Sequence, residues 1–76
     1  MLSDEPTVRV WVRAVWRLPT GREITRTVKR VVAGDPEDAE RRAIVLREFI
    51  EELRATGWEF REGRGTLVAV LGTLTD

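Results

Sequence analysis

Apolar and polar residues alternate along residues 7–18, where every even-numbered position is apolar. Alternation over this length predicts a half-buried β-strand. Pro19-Thr20-Gly21 then supplies a turn, because proline suits its first central position and glycine accepts the left-handed conformation that follows. A second strand is expected over about 22–33, so the first part of the chain is predicted to be a β-hairpin with a bulge at Gly21.

Pairing Leu18 with Arg22 sets the predicted register of this hairpin. Its core face is then a set of matched apolar pairs: Trp16 with Ile24, Val12 with Val28, and Val8 with Val32. The same register places Arg26 and Arg30 on that apolar face. We interpret these two arginines as inward-pointing charges that protect the edge of a sheet from further pairing.

A helix is predicted over about 36–55. Asp35-Pro36-Glu37-Asp38 is typical of a helix start, with Asp35 as N-cap and proline in the first turn, and Gly57 is typical of a helix end. An apolar stripe at helical spacing indicates the face that lies on the sheet. Its members are Ala39, Ala43, Leu46, Phe49, Ile50 and Leu53. Ile44 falls on the opposite, charged face.

The remaining residues predict two more strands, over 58–62 and over 66 to about 74, joined by a turn at Gly63-Arg64-Gly65. The consecutive apolar residues Leu67–Leu71 indicate a strand that is buried on both faces. We therefore expect the last strand to lie inside the sheet, beside the first strand and parallel to it. The predicted fold is α+β: a four-stranded mixed sheet of ββαββ type, in the order 2-1-4-3, with one helix packed on one face.

The length of 76 residues indicates one domain, which we place at 7–76 after a disordered N-terminal segment at 1–6. No apolar run approaches the roughly 20 residues that a transmembrane helix needs. The N-terminus carries neither the basic region nor the apolar core of a signal peptide. We expect a cytoplasmic protein, or a soluble recombinant one if the sequence is a design.

Catalytic signatures are lacking in the sequence. The chain contains no Cys and no His, which removes thiolate chemistry, the commonest general base and the commonest transition-metal ligand. Pairs such as Glu51-Glu52 are typical of a solvated helix face, and Gly63-Arg64-Gly65 is typical of a hairpin turn rather than a phosphate loop. We expect no enzymatic activity, no cofactor, no metal, no membrane partner and no small-molecule substrate.

Charge is distributed unevenly. Residues 7–33 contain seven basic side chains and one acidic one, a net charge of +6, while the whole chain has a net charge of zero. One helix covers one sheet face, so the other face of the hairpin is the candidate interface. Its predicted residues are Arg9, Trp11, Arg13, Val15, Lys29 and Val31.

Two functions compete for this face. Exposed apolar residues rimmed by arginine are typical of protein interfaces, which favours a scaffold-like protein that forms homo-oligomers. Arginines around an aromatic ring also bind single-stranded nucleic acid, which is the alternative. Only one aromatic residue, Trp11, is available for stacking, so the second function is less favoured. An inert solvated face and a different protein partner also stay open.

Local signals agree throughout the chain, as they do in designed proteins. The stretches Asp35–Arg41 and Leu18–Glu23 resemble those of computationally designed α+β miniproteins, and the absence of His and Cys fits that style. Gly57-Trp58-Glu59 is also similar to a segment after the helix in small bacterial domains of unknown function. Both resemblances leave the natural or designed origin open, and neither assigns a functional residue.

Overall fold

The computed structural model describes residues 5–76; residues 1–4, part of the predicted disordered segment, lie outside the described residues. The elements are β1 (Thr7–Arg17), β2 (Glu23–Ala33), α1 (Ala39–Thr56), β3 (Trp58–Phe60) and β4 (Gly63–Thr75). The strands form one antiparallel sheet in the order β2-β1-β4-β3, and α1 packs on one face through β1 and β4. The predicted α+β class, ββαββ topology and strand order are confirmed.

The register of the first hairpin is also confirmed. Gly21, with φ of +90°, donates its N–H to the Leu18 carbonyl at 2.8 Å, and the Leu18 N–H donates to the Arg22 carbonyl at 2.8 Å. The apolar pairs then follow in the predicted register, from Trp16 with Ile24 to Val8 with Val32. Glycine at the left-handed position therefore sets which face of each strand is buried.

The direction of β4 was predicted wrongly. It runs antiparallel to β1, with Arg17 opposite Thr66 and Val10 opposite Thr75. The reason is the length of β3, which has only three residues and spans roughly 10 Å. α1 ends at the same end of the sheet as β1. β3 is too short to carry the chain back to the opposite end. β4 therefore returns along β1 in the opposite direction.

The prediction that Leu67–Leu71 is buried on both faces was also wrong. β3 pairs only with residues 63–65, so the outer edge of β4 beyond them has no strand beside it among residues 5–76. Two register shifts against β1 leave Val68 and Leu71 as extra, bulged residues. Their side chains are 42% and 54% exposed, while Leu67 and Val70 pack on the core.

The core lies between the sheet and α1. It is made of apolar residues alone: Val8, Val10, Val12, Ala14, Trp16, Leu18, Ile24, Val28, Val45, Phe49 and Leu53. Trp16 is fully buried, and its indole N–H donates to the Arg26 carbonyl at 3.2 Å. Edge-to-face contacts join Trp16 to Phe60 and Phe49 to Trp58, with ring centroids 5.3 and 5.9 Å apart.

The helix begins later than predicted. Asp38, not Asp35, is the N-cap, and its carboxylate accepts the Arg41 N–H at 3.1 Å. Asp35 instead accepts the Glu37 N–H at 2.9 Å in a turn that precedes the helix. Two carboxylates three residues apart can both cap a helix, and in this chain the turn takes up the first one.

The buried face of α1 is rotated relative to the predicted stripe. Val45 is buried although it was not predicted to be, Ala39 and Ala43 are exposed, and Ile44 is half-buried rather than fully exposed. Ala39 and Ala43 lie near residues 73–75 of β4, a part of that strand that β3 is too short to pair with. No helix among the described residues is long and apolar enough to cross a bilayer.

Glycines hold β3 against the end of α1. The β3–β4 turn is Arg61-Glu62 rather than the predicted 63–65, and Gly65 lies within β4. A Cβ on Gly65 would lie 2.8 Å from the Phe60 ring, and one on Gly57 would lie 2.1 Å from the Gly65 carbonyl oxygen. These two glycines serve close packing inside the fold, which the sequence pattern did not distinguish from a turn.

Candidate interaction surface

The sheet face opposite α1, which we call the open face, carries the predicted interface. Side chains alternate between the two faces of a strand, and the even positions of β1 are buried under α1. The odd positions and their cross-strand partners therefore lie together on the open face. The structure places all six predicted residues there: Arg9, Trp11, Arg13, Val15, Lys29 and Val31.

An apolar strip runs along the open face. Trp11 and Val15 are half-buried, and Val31 is 47% exposed. β4 adds Leu74, which lies opposite Trp11 and is 62% exposed, and Ala69, which lies opposite Val15. No described element packs over these apolar residues.

Sequence reasoning missed Leu74. The consecutive apolar residues Leu67–Leu71 predicted a strand buried on both faces, and in the structure Ala69 is the residue of that run that pairs with an open-face residue, Val15. Leu74 reaches Trp11 because β4 is antiparallel to β1, which brings the end of β4 to the start of β1. The signal available in the sequence was Leu74 itself, an apolar residue near the end of the uncharged run 66–75.

Gly72 leaves a shallow groove in the open face. It lies opposite Arg13, and the groove beside it is lined mainly by apolar atoms of Trp11 and Leu74. A Cβ on Gly72 would meet nothing within 4 Å, and its φ is not in the left-handed region. Neither packing nor backbone conformation in the single chain requires glycine at this position.

Ion pairs neutralise part of the basic hairpin. Arg17 pairs with Glu23 across the first hairpin at 2.7 Å, as the register predicted. Arg26 reaches Glu62 in the β3–β4 turn at 3.0 Å. Part of the charge difference between the hairpin and the rest of the chain is therefore satisfied within the fold.

Arg30 connects β2 to α1 through its side chain. Its guanidinium lies 4.8 Å from the centroid of the Phe49 ring and forms an ion pair with Glu52 on α1. The two arginines on the nominally apolar face thus lie at the predicted positions. Their stems cover apolar surface, and their charged groups meet acidic residues from other elements.

Three cations of the open face have no ion pair within the part of the chain that the structure describes. Arg9, Arg13 and Lys29 form no ion pair with any residue of 5–76. Lys29 lies directly opposite Trp11, and Arg9 and Arg13 lie two positions to either side of it on β1. The open face is therefore an apolar strip with Trp11 at its centre and cations at its rim.

The acidic residues at the N-cap of α1 and in its Glu51-Glu52 pair have structural partners. Asp38 caps α1, Glu52 pairs with Arg30, and Glu51 lies 3.9 Å from Arg47. Among residues 5–76, no group of three or more potential metal ligands lies together.

Comparison with known proteins adds no assignment: no protein family matches the chain, and no curated protein or solved structure is similar to it.

Proposed function

We propose that the protein is a non-enzymatic scaffold whose copies associate by packing their open faces together. The observation that carries this proposal is the uncovered strip of Trp11, Leu74, Val15 and Val31. A sheet that is apolar on both faces needs a second layer on each face, and α1 covers only one. A second copy supplies that layer with the same strip.

The composition of the open face supports a protein partner. Tryptophan and arginine are the residue types enriched where binding energy concentrates in protein interfaces. Trp11 lies at the centre of the strip, where burial removes the most apolar surface from water. Arg9, Arg13 and Lys29 lie at the rim, where their stems pack on apolar atoms while their charged groups stay hydrated.

The test is the mass in solution across a concentration series, measured by light scattering after size exclusion. We expect wild type to exceed the monomer mass at high micromolar concentration and Trp11→Glu to lower that mass with an unchanged helix signal. Val68→Glu is the matched control, because Val68 is exposed at a bulge of β4 and has no cross-strand partner on β1. A wild-type monomer throughout, or equal masses for the two variants, would contradict the proposal.

A second candidate function rests on the free cations. Arg9, Arg13 and Lys29 around Trp11 suit a single strand that stacks one base and places phosphates on the cations. Fluorescence anisotropy with a labelled oligonucleotide at low and high salt separates the two functions, since phosphate-driven binding weakens steeply with salt. Absence of binding at low salt eliminates the nucleic-acid function and leaves self-association.

A further inference from the structure

The outer edge of β4 beyond residue 65 is a second surface. It differs from the open face because it offers main-chain groups rather than a side-chain layer, although the two surfaces share Leu74 and Arg13. Residues 66–75 contain no charged residue and no proline, the two devices that most often block strand addition. We call residues 66–76 on this side the β4 edge.

Hydrogen bonding shows which groups of the β4 edge point outward. Asp76 and Arg9 exchange two main-chain hydrogen bonds, both of 2.8 Å. Donors and acceptors alternate between the two sides of a strand, so Leu74 and Gly72 also point to β1, while Thr73 and Thr75 point away. No strand among residues 5–76 pairs with those outward groups.

We propose that residues 72–76 pair antiparallel with the same residues of a second copy, about a two-fold axis at Leu74. Thr73 of each copy then exchanges both main-chain hydrogen bonds with Thr75 of the other. The two sheets continue as one sheet of eight strands. This contact goes beyond the open-face association and does not depend on it.

Charge complementarity identifies the occupant as a second copy of this chain. In this register Gly72 lies opposite Asp76 of the second copy. Arg13, Gly72 and that aspartate form one row across the open face, and adjacent strands are about 4.8 Å apart, so roughly 10 Å separates the outer two backbones. An arginine and an aspartate span that distance. Neither Arg13 nor Asp76 has an ion pair among the described residues.

Gly72 and Leu74 gain a role in this arrangement. A glycine inside a strand weakens it and often marks the close approach of another group, and nothing in the single chain requires one at Gly72. The Arg13 stem crosses the free space above it. Leu74, the most exposed large apolar residue among residues 5–76, meets its own copy at the axis. On the helix side, the hollow beside Thr73 and Thr75 leaves room for the added strand.

Cysteine cross-linking tests the register directly, because the chain has no cysteine of its own. Residues at a non-hydrogen-bonded antiparallel pair have Cα atoms about 4.5 Å apart, within the range of a disulfide. Under mild oxidation at micromolar concentration, Leu74→Cys is expected to give severalfold more covalent dimer than Leu71→Cys. Leu71 is a matched control, 54% exposed on the same strand but away from the axis. Equal yields, or a monomeric Leu74→Cys, would overturn the register.

Proline substitution tests the edge contact without touching the open face. Thr73→Pro removes an N–H that points away from β1, so the fold tolerates it, while Thr73→Ala keeps that donor. Each contact joins two copies about its own two-fold axis, so both contacts together give an assembly larger than a dimer. We expect Thr73→Pro and Trp11→Glu each to leave a dimer, and their combination to leave a monomer. An unchanged mass for Thr73→Pro refutes the edge contact alone, and an unchanged mass for Trp11→Glu refutes the face contact alone.

Discussion

The two edges of the sheet are built on opposite principles. The β2 edge carries Arg22, Glu23, Arg26, Lys29 and Arg30, and two of its arginines reach across to acidic residues of the β3–β4 turn and of α1. The β4 edge carries no charge over residues 66–75 and holds two bulges, at Val68 and Leu71. Charged side chains on the β2 edge disfavour the addition of another strand, whereas the β4 edge offers main-chain hydrogen-bonding groups and apolar side chains.

This difference teaches where the molecule is equipped to meet another chain. A charged edge resists pairing because an added strand would bury unpaired charge. The bulges at Val68 and Leu71 twist β4, but they end before Gly72, and the regular segment 72–76 follows them. The part of the β4 edge that is both regular and uncharged is therefore residues 72–75, directly before Asp76.

The largest effect on the free energy of unfolding is expected at the contact between Gly57 and Gly65, which holds β3 against the end of α1. Gly57→Ala combines a left-handed φ with a clash against the Gly65 carbonyl, and we expect it to cost about 3 kcal/mol. Gly21→Ala is the control, because its φ is also left-handed but its Cβ meets nothing; about 1 kcal/mol is expected. Urea denaturation measures both, and equal losses would show that the Gly57 contact is not tight.

The next effect concerns the β2 edge. Arg30→Ala loses a cation–π contact, an ion pair and apolar cover for Phe49, and we expect a loss of about 1–2 kcal/mol in the free energy of unfolding. Arg26→Ala loses a half-exposed ion pair with Glu62 and an exposed hydrogen bond to the Thr25 carbonyl, with an expected cost of about 0.5 kcal/mol. Thermal denaturation compares them. A larger loss for Arg26→Ala would contradict the role assigned to Arg30.

Gly72→Thr is expected to change stability and association in opposite directions. Threonine suits a strand and has room at this position, so the fold gains about 0.5–1 kcal/mol. The same side chain fills the space that Arg13 needs to reach Asp76 of the second copy, so association weakens. Urea denaturation measures the gain in the free energy of unfolding, and light scattering on the same preparation measures the loss of association. A variant that is more stable and associates as strongly as wild type would argue against the edge contact.

The smallest effect on stability is expected from placing a charged residue on the β4 edge, as the β2 edge already has. Thr73→Lys adds an exposed charge at the proposed contact and should change the free energy of unfolding by less than about 0.5 kcal/mol. It places two lysines near each other across the two-fold axis, so the edge-paired species should decline. Thr66→Lys is the control, at the far end of the same strand. If both lysines reduce the mass equally, the contact does not lie at residues 72–76.

Much of the fold was predictable because its signals are local. The turn at Pro19-Thr20-Gly21 sets the register of the first hairpin, and that register alone brings the six candidate residues onto one face. Gly57 ends α1 as predicted. The N-cap was harder, since Asp35 and Asp38 are equally good caps by sequence and the turn before the helix decided between them.

The rest of the site was not predictable, because it depends on contacts between distant segments. Leu74 joins Trp11 only through the direction of β4, and that direction follows from the length of β3. β3 is short because Gly65 lies under the Phe60 ring and belongs to β4, not to the turn. A similar reason explains why Val45 is buried while Ala39 and Ala43 are exposed. The two alanines lie above the part of β4 that has no β3 residue beside it.

The sequence by itself thus determined the elements, the first hairpin and its candidate face, because alternation, turn residues and caps act over a few residues. Tertiary structure decided what lies beside that face. It paired Arg26 and Arg30 with acids far along the chain, and it left Arg9, Arg13 and Lys29 free of ion pairs within residues 5–76. It also left the β4 edge without a strand among those residues, because strand direction and coverage depend on where the whole chain closes.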